Sequence, residues 1–152
     1  MKDLDIRINK KVFIPTGTSE ILIEAAKKII KPKKKILDLG CGSGIVGISI
    51  AKYLKRNTKI YFSDISKHAC NNAKFNCMKL KIKYEVKNGS ILDPWKDHKF
   101  DFIISDVAAV AEKVSKISSW YKNCINNSGE DGTRHIVKLL NTVKKIIIQM
   151  GL

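Results

Sequence analysis

Three acids and three glycines are the residues best placed to do chemistry. Asp38 stands two residues before Gly40, and glycine recurs at positions 40, 42 and 44. Glycine takes positive φ readily and lets a ligand lie against the main chain without meeting a Cβ. A helix that opens straight after such a turn offers free amides to an anionic group such as a carboxylate. Asp64 lies 20 residues after Gly44. An acid about 20 residues beyond a glycine turn, at the end of the next strand, takes ribose hydroxyls, and one carboxylate has two oxygens for two hydroxyls. Asp106 closes another apolar run, where a carboxylate can orient an N–H group or remove a proton. Read singly, Asp64 and Asp106 have a plainer use as helix caps, and the stretch from Asp38 to Gly44 a plainer one as a structural turn. Their spacing along one chain favours a shared site.

The surrounding pattern supplies elements to hold them. Ile36 to Leu39 is a short apolar run, as expected for a parallel strand covered on both faces. From Ile45 the pattern turns helical, with Ile45, Ile48, Ile50, Ala51 and Leu54 able to share a buried side. Thr18 reads as the cap of a first helix over about 19–30, which stops before Pro32. Further strands are expected at about 59–63, 82–87 and 100–105, with helices at about 45–55, 66–79 and 107–117. A last helix at about 133–144 precedes a fifth strand over Ile146-Ile147-Ile148-Gln149-Met150. Strands alternating with helices imply an α/β fold with a Rossmann-like, doubly wound, mostly parallel sheet. Ligands of such sheets sit at the carboxyl ends of the strands, where Asp64 and Asp106 fall.

Two cofactor classes compete for the glycine turn. A nicotinamide or flavin dinucleotide site follows G-x-G-x-x-G/A. Counted from Gly40, its third small position falls on Ile45, and the third glycine comes one residue early. Strand, acid, three spaced glycines, helix and Asp64 together resemble the signature of class I methyltransferases that use S-adenosyl-L-methionine (SAM). The resemblance covers most of the chain and is closest to the small-domain group that includes the release-factor glutamine and nucleic-acid amine methyltransferases.

That resemblance implies roles for particular residues. Asp38 would serve the amino-acid end of SAM, beside the turn residues Gly40, Cys41, Gly42 and Gly44. Asp64 would take the ribose, and Ile65 would lie against the adenine. The segment Val12 to Thr18, with Thr16 in it, looks like the stretch that leads into the first helix and partly covers SAM. Ser90 stands where an acid commonly meets the adenine amine, and Ile91 would add apolar cover. Asp106 keeps the acidic form of the position that orients or deprotonates the methyl acceptor. Relatives continue with two prolines and an aromatic, whereas this chain reads Asp106-Val107-Ala108-Ala109. Trp120 and Tyr121 are alternative stacking groups, or anchors of a lid. Glu130, Asp131 and His135 are either site groups or helix-start chemistry. Trp95 reads as packing, and His68 and His98 read as solvent-facing.

Composition bounds the rest. The 152 residues suit one domain, a cover segment over 1–33 and a core over 34–152. No apolar run approaches a membrane span, and the acids near Met1 do not suit a signal peptide, so the cytoplasm is the expected place. Cys41, Cys70, Cys77 and Cys124 have no zinc-like spacing and no C-x-x-C, so reduced thiols and no metal are expected. The net charge is +15, and only Arg7, Arg56 and Arg134 are arginines. Such charge suits RNA or ribosomal partners, although a lysine-rich genome also favours lysine over arginine. The family's seven-strand sheet exceeds the strands read here, so the core reads as C-terminally shortened. A shortened sheet leaves an edge that a homodimer can cover.

The expected function is SAM-dependent methyl transfer to a nitrogen on RNA or on a translation-related protein. Two alternatives stay open: a SAM-binding partner subunit without catalysis, and a small-molecule methyltransferase with an apolar pocket around Val107 to Val110.

Overall fold

The structure is a computed structural model that describes residues 4–32, 34–55, 58–107, 109–121, 124 and 128–147. In chain order the elements are α1 (Gly17–Ile29), β1 (Ile36–Leu39), α2 (Ile45–Leu54), β2 (Lys59–Asp64), α3 (Lys67–Lys79) and β3 (Lys83–Asn88). Then follow β4 (Phe102–Ser105), α4 (Glu112–Ile117) and α5 (Arg134–Val143). Short 3-10 turns occupy Asp93–Trp95 and Ser119–Tyr121.

The four strands are parallel in the order β3-β2-β1-β4. The chain winds outward from β1 to β3 and then returns to the other side of β1. That reversal opens a crevice at the carboxyl ends of β1 and β4, the place where open α/β sheets bind ligands.

Side chains alternate between the faces because strand residues have a period of two. Ile36, Ile60 and Phe62 join Ile23, Ile48 and Ile50 in a core beneath α1, α2 and α3. Leu37 and Leu39 point the other way, toward Trp95, Phe100 and Ile146, with Leu139 and Val143 of α5 packed against them. Helices thus cover both faces, as the alternating pattern predicts.

Helix α2 departs from the one-sided pattern: every residue from Ile45 to Ala51 is buried. It lies between the sheet and α1, so it has little solvent face. Its closest approach is at Gly47, where an added Cβ would stand 2.5 Å from Phe62 Cε1 and 2.9 Å from Ile60 Cγ2. The close-packing glycine that the dinucleotide pattern places at position 45 is supplied here two residues later.

Several boundaries move for identifiable reasons. Helix α1 opens at Gly17 after Thr16, and the Thr16 and Thr18 hydroxyls bond each other at 2.8 Å without a side-chain cap. Residues 109–111 stay out of α4 because the glycine-rich turn ahead of α5 packs against them. A Cβ on Gly132 would lie 2.9 Å from the Ala111 nitrogen, and Glu112 N–H donates to the Gly129 carbonyl. Phe100 precedes β4 and forms an isolated parallel bridge with Ile147. Of the expected fifth strand, residues 148–150 lie outside the described residues.

His98 corrects its solvent-facing reading. Its ring lies 5.0 Å from that of Trp95 and stacks on Phe100 at 6.2 Å. Trp95 is fully buried, in agreement with its packing role.

Candidate active site

A cavity of about 460 Å³ opens at the carboxyl ends of β1 and β4, within the size range of small-molecule sites. Its floor is the loop from Leu39 to Ser43, followed by Ile45 and Val46 at the start of α2. Gly40, Gly42 and Gly44 all take positive φ, at 74°, 52° and 83°. The turn is pinned from below, because the Gly40 and Cys41 N–H groups both donate to the Ser63 carbonyl. An added Cβ on Gly40 would stand 2.7 Å from Val107 Cγ1, so the loop after β4 rests directly on the turn.

Asp64 is built into this floor. Its Oδ2 accepts the Gly42 N–H at 3.0 Å and its Oδ1 accepts the Ser66 N–H at 2.8 Å. Each carboxylate oxygen retains a further acceptor site, and the residue lines the cavity. Burial raises the Asp64 pKa above the ordinary carboxylate range, opposed by those backbone donors. The carboxylate is held in place before any ligand arrives.

Asp38 has a different position. It is 2% exposed and lies behind the turn, and its Oδ2 accepts the Gly47 N–H at 2.8 Å. Burial pushes its pKa up to about 7; the Gly47 bond opposes this, while Asp64 and Asp106 add repulsion. Gly44 likewise sits behind the cavity, with its Cβ position 3.1 Å from Ala73 Cβ. Asp38 therefore ties the strand end to the helix start and does not itself line the cavity.

The other residues singled out from sequence come together. Thr16, Cys41, Ile65, Ser90, Ile91 and Asp106 all line the cavity. Burial raises the Cys41 thiol pKa far above its usual range, which suits an inert packing residue. Ser90 accepts from Lys138 Nζ at 3.1 Å, and the same lysine reaches Asp93 Oδ2 at 2.6 Å. Thus α5 is tied to the Ser90 wall. Trp120, Tyr121 and His135 also line the cavity, whereas Glu130 and Asp131 do not. Asp131 instead accepts the N–H of Thr133 at the start of α5. His135 is held below its ordinary pKa, first by burial and then by Arg134 and Lys138.

One participant and one contact escaped the sequence. Ser19, on the first turn of α1, donates its hydroxyl to Asp106 Oδ2 at 2.8 Å. The two residues are 87 positions apart, and no local pattern joins them. Phe13 packs against Tyr121 at 5.3 Å between ring centroids. Both line the cavity, and they give it the aromatic surface that the motif after Asp106 lacks.

The residues present fit the cofactor that the glycine turn suggested. Ser43 Oγ is buried in the cavity floor with no hydrogen-bond partner. Asp38 accepts the Gly47 N–H from behind the turn, and Ile45 and Val46 line the cavity, so their two amides are what the start of α2 offers an anionic group. Asp64 supplies two fixed acceptors. Among the described residues no group of metal-ligating side chains gathers.

Comparisons with known proteins agree with this geometry. The methyltransferase small domain family matches residues 13–122. The release factor glutamine methyltransferase of Clostridium acetobutylicum is 33% identical over 98% of this chain and 56% of its own length. The ribosomal protein L11 methyltransferase of Caldicellulosiruptor bescii is 27% identical over 80% of this chain and 40% of its own length. The chain spans about half the length of the curated relatives it matches, 56% and 54% for two of them. A methyltransferase crystal structure from Pyrococcus furiosus superimposes with a TM-score of 0.68 at 20% identity, covering 97% of this chain and 66% of that one, which shows the shared fold. With a matching family over most of its length, and a glycine cradle whose groups suit the cofactor, the chain belongs to the methyltransferase small domain family, whose methyl donor is SAM.

Proposed function

We propose that this protein transfers a methyl group from SAM to a nitrogen on a translation-related protein. The observation that carries the reading is the meeting of Asp64 and Asp106 on one cavity, the first fixed by backbone donors and the second by Ser19. Bound SAM supplies an electrophilic methyl group on a sulfonium. Asp64 takes the ribose hydroxyls, and Ile65 and Ile91 cover the base from opposite connections. Ser90 offers its hydroxyl oxygen to the adenine amine. Thr16, Gly40, Cys41, Gly42 and the start of α2 hold the amino-acid end, with Asp38 and Gly44 fixing the shape of that turn.

Asp106 acts on the acceptor. Ser19 occupies one carboxylate oxygen, so the other is free to orient an N–H or remove its proton. Phe13 and Tyr121 give the acceptor a flat apolar surface. His135, held neutral near pH 7, is a second group on the same cavity able to accept a proton. The names of the two relatives support the acceptor class, since one acts on a release factor and the other on ribosomal protein L11. Such work suits the cytoplasm, and the same reading takes the chain as one domain with a cover segment over 1–33 and a core over 34–152. Exposed Ile136, Val137 and Leu140 on α5 favour a homodimer; sedimentation as a monomer at high concentration removes that element.

Incubation with labelled SAM, release factors, ribosomal protein L11 and total RNA tests the reading. Label in a protein nitrogen supports it. Label in RNA or a small molecule replaces the acceptor. No label anywhere, despite SAM binding, favours the partner-subunit alternative that the Asp106-Val107-Ala108-Ala109 sequence suggests.

A further inference from the structure

Exposed lysines occur at both ends of the sheet, and a run of six gathers where the helices end and the strands begin. In a parallel α/β layer the helices run against the strands, so helix ends and strand starts share the pole opposite the cavity. Lys28 and Lys31 at the end of α1, Lys35 before β1, Lys52 and Lys55 at the end of α2, and Lys81 before β3 are all exposed there. None of these six takes part in an ion pair among the described residues. The acids near this pole are already engaged: Glu24 by Lys27, Asp101 by Lys34, Glu85 by Lys59 and Asp5 by Lys79. The cavity end exposes Lys10, Lys67, Lys113 and Lys116 as well, but there Asp64, Asp93, Asp106 and Glu112 stand among them.

We propose that this lysine pole is a docking surface for the phosphate backbone of RNA, and that the RNA it holds is an anchor and not the methyl acceptor. The helix dipole favours cations only within the last turn, which accounts for Lys28 and Lys52 but not for Lys31, Lys35, Lys55 or Lys81 beyond the helices. Lysines are compact point charges without the planar fork of arginine. They suit sequence-independent phosphate contacts better than bidentate recognition of carboxylates on an acidic protein. Membrane surfaces are bound by amphipathic helices lying flat, and here α1, α2 and α3 meet the pole end-on. Tyr53, half exposed between Lys52 and Lys55 and with Lys27 Nζ 5.7 Å from its ring centroid, adds an aromatic surface beside the lysines.

Geometry separates this surface from the chemistry. The six-residue strand β2 spans roughly 20 Å at about 3.3 Å per residue, and the cavity opens at its far end. RNA held at the pole leaves the cavity facing outward, free for a protein side chain. The docking surface follows from the fold and stands or falls separately from the acceptor assigned above.

The test compares two fourfold variants of equal charge. One carries Lys31→Gln, Lys35→Gln, Lys52→Gln and Lys55→Gln; the other carries Lys10→Gln, Lys67→Gln, Lys113→Gln and Lys116→Gln from the cavity side. Fluorescence anisotropy with a labelled mixed-sequence RNA stem-loop is read against salt, and SAM calorimetry reports that each variant is folded. The pole variant is expected to bind about tenfold or more weakly, with a log–log salt slope smaller by about 3 to 4, and the cavity-side variant to stay near wild type. Equal losses in the two variants overturn the proposal, because net charge alone then explains binding. Absence of wild-type binding near physiological salt overturns it as well. So does tighter binding to phosphatidylserine vesicles through the same four lysines.

Discussion

Replacing Asp38 by asparagine removes a buried charge while keeping an acceptor for the Gly47 N–H, which donates to Oδ2 at 2.8 Å. Burial raises the Asp38 pKa from 3.8 to about 7. In the folded protein the carboxyl therefore keeps its proton over a pH range where the unfolded chain has lost it. Stability is highest below the unfolded pKa and falls as pH rises through the folded one. About three units, at about 1.4 kcal/mol per unit, set the span at roughly 4 kcal/mol between pH 4 and pH 8. A side-chain amide does not titrate, so Asp38→Asn flattens that part of the profile. At pH 8 the variant gains the relieved desolvation and loses about 1 kcal/mol for a weaker hydrogen bond, a net gain of roughly 1–3 kcal/mol. Tm then rises by roughly 3–10 °C at pH 8 and changes little at pH 5. Thermal unfolding followed by circular dichroism at both values reads this directly. Parallel pH profiles for the two proteins, or a variant less stable at both values, refute a strained, buried Asp38.

Gly47→Ala forces a methyl group to 2.5 Å from Phe62 and 2.9 Å from Ile60. It is expected to destabilise by about 1–3 kcal/mol, and an unchanged denaturation midpoint contradicts the close helix–strand contact. Asp106→Ala should lower methyl transfer by about 10²- to 10⁴-fold with SAM affinity intact; full activity removes Asp106 from the chemistry. Ser90→Asp places a charged acceptor where Ser90 now stands and should tighten SAM binding by about 3- to 10-fold. Calorimetry showing equal or weaker binding rejects an adenine contact at that position.

The site was legible wherever backbone chemistry is local. Glycines with positive φ, a short apolar strand before them and an acid at the next strand end are written into adjacent residues. The same holds for the parallel sheet, which follows from alternating strand and helix periods. Contacts between distant segments were not legible. Ser19 meets Asp106 only because the first turn of α1 and the end of β4 come together at the cavity. Gly47 looks like an ordinary helix-weakening glycine until the sheet lies beneath it. His98 reads as polar, yet Trp95 and Phe100 offer it an aromatic face. Residues 109–111 read as helix, but the turn at Gly129 to Gly132 holds them extended beside α4.

In the proposed function, the turn from Gly40 to Gly44 and the Asp64 carboxylate form a SAM cradle. Isothermal titration of the chain with SAM, and with its demethylated product, measures it most directly. One molecule of either ligand is expected to bind per chain, with affinity lowered roughly tenfold or more by Asp64→Ala through loss of charge-assisted bonds to the ribose. A folded wild-type chain that binds neither ligand, or an Asp64→Ala variant that binds both unchanged, contradicts it.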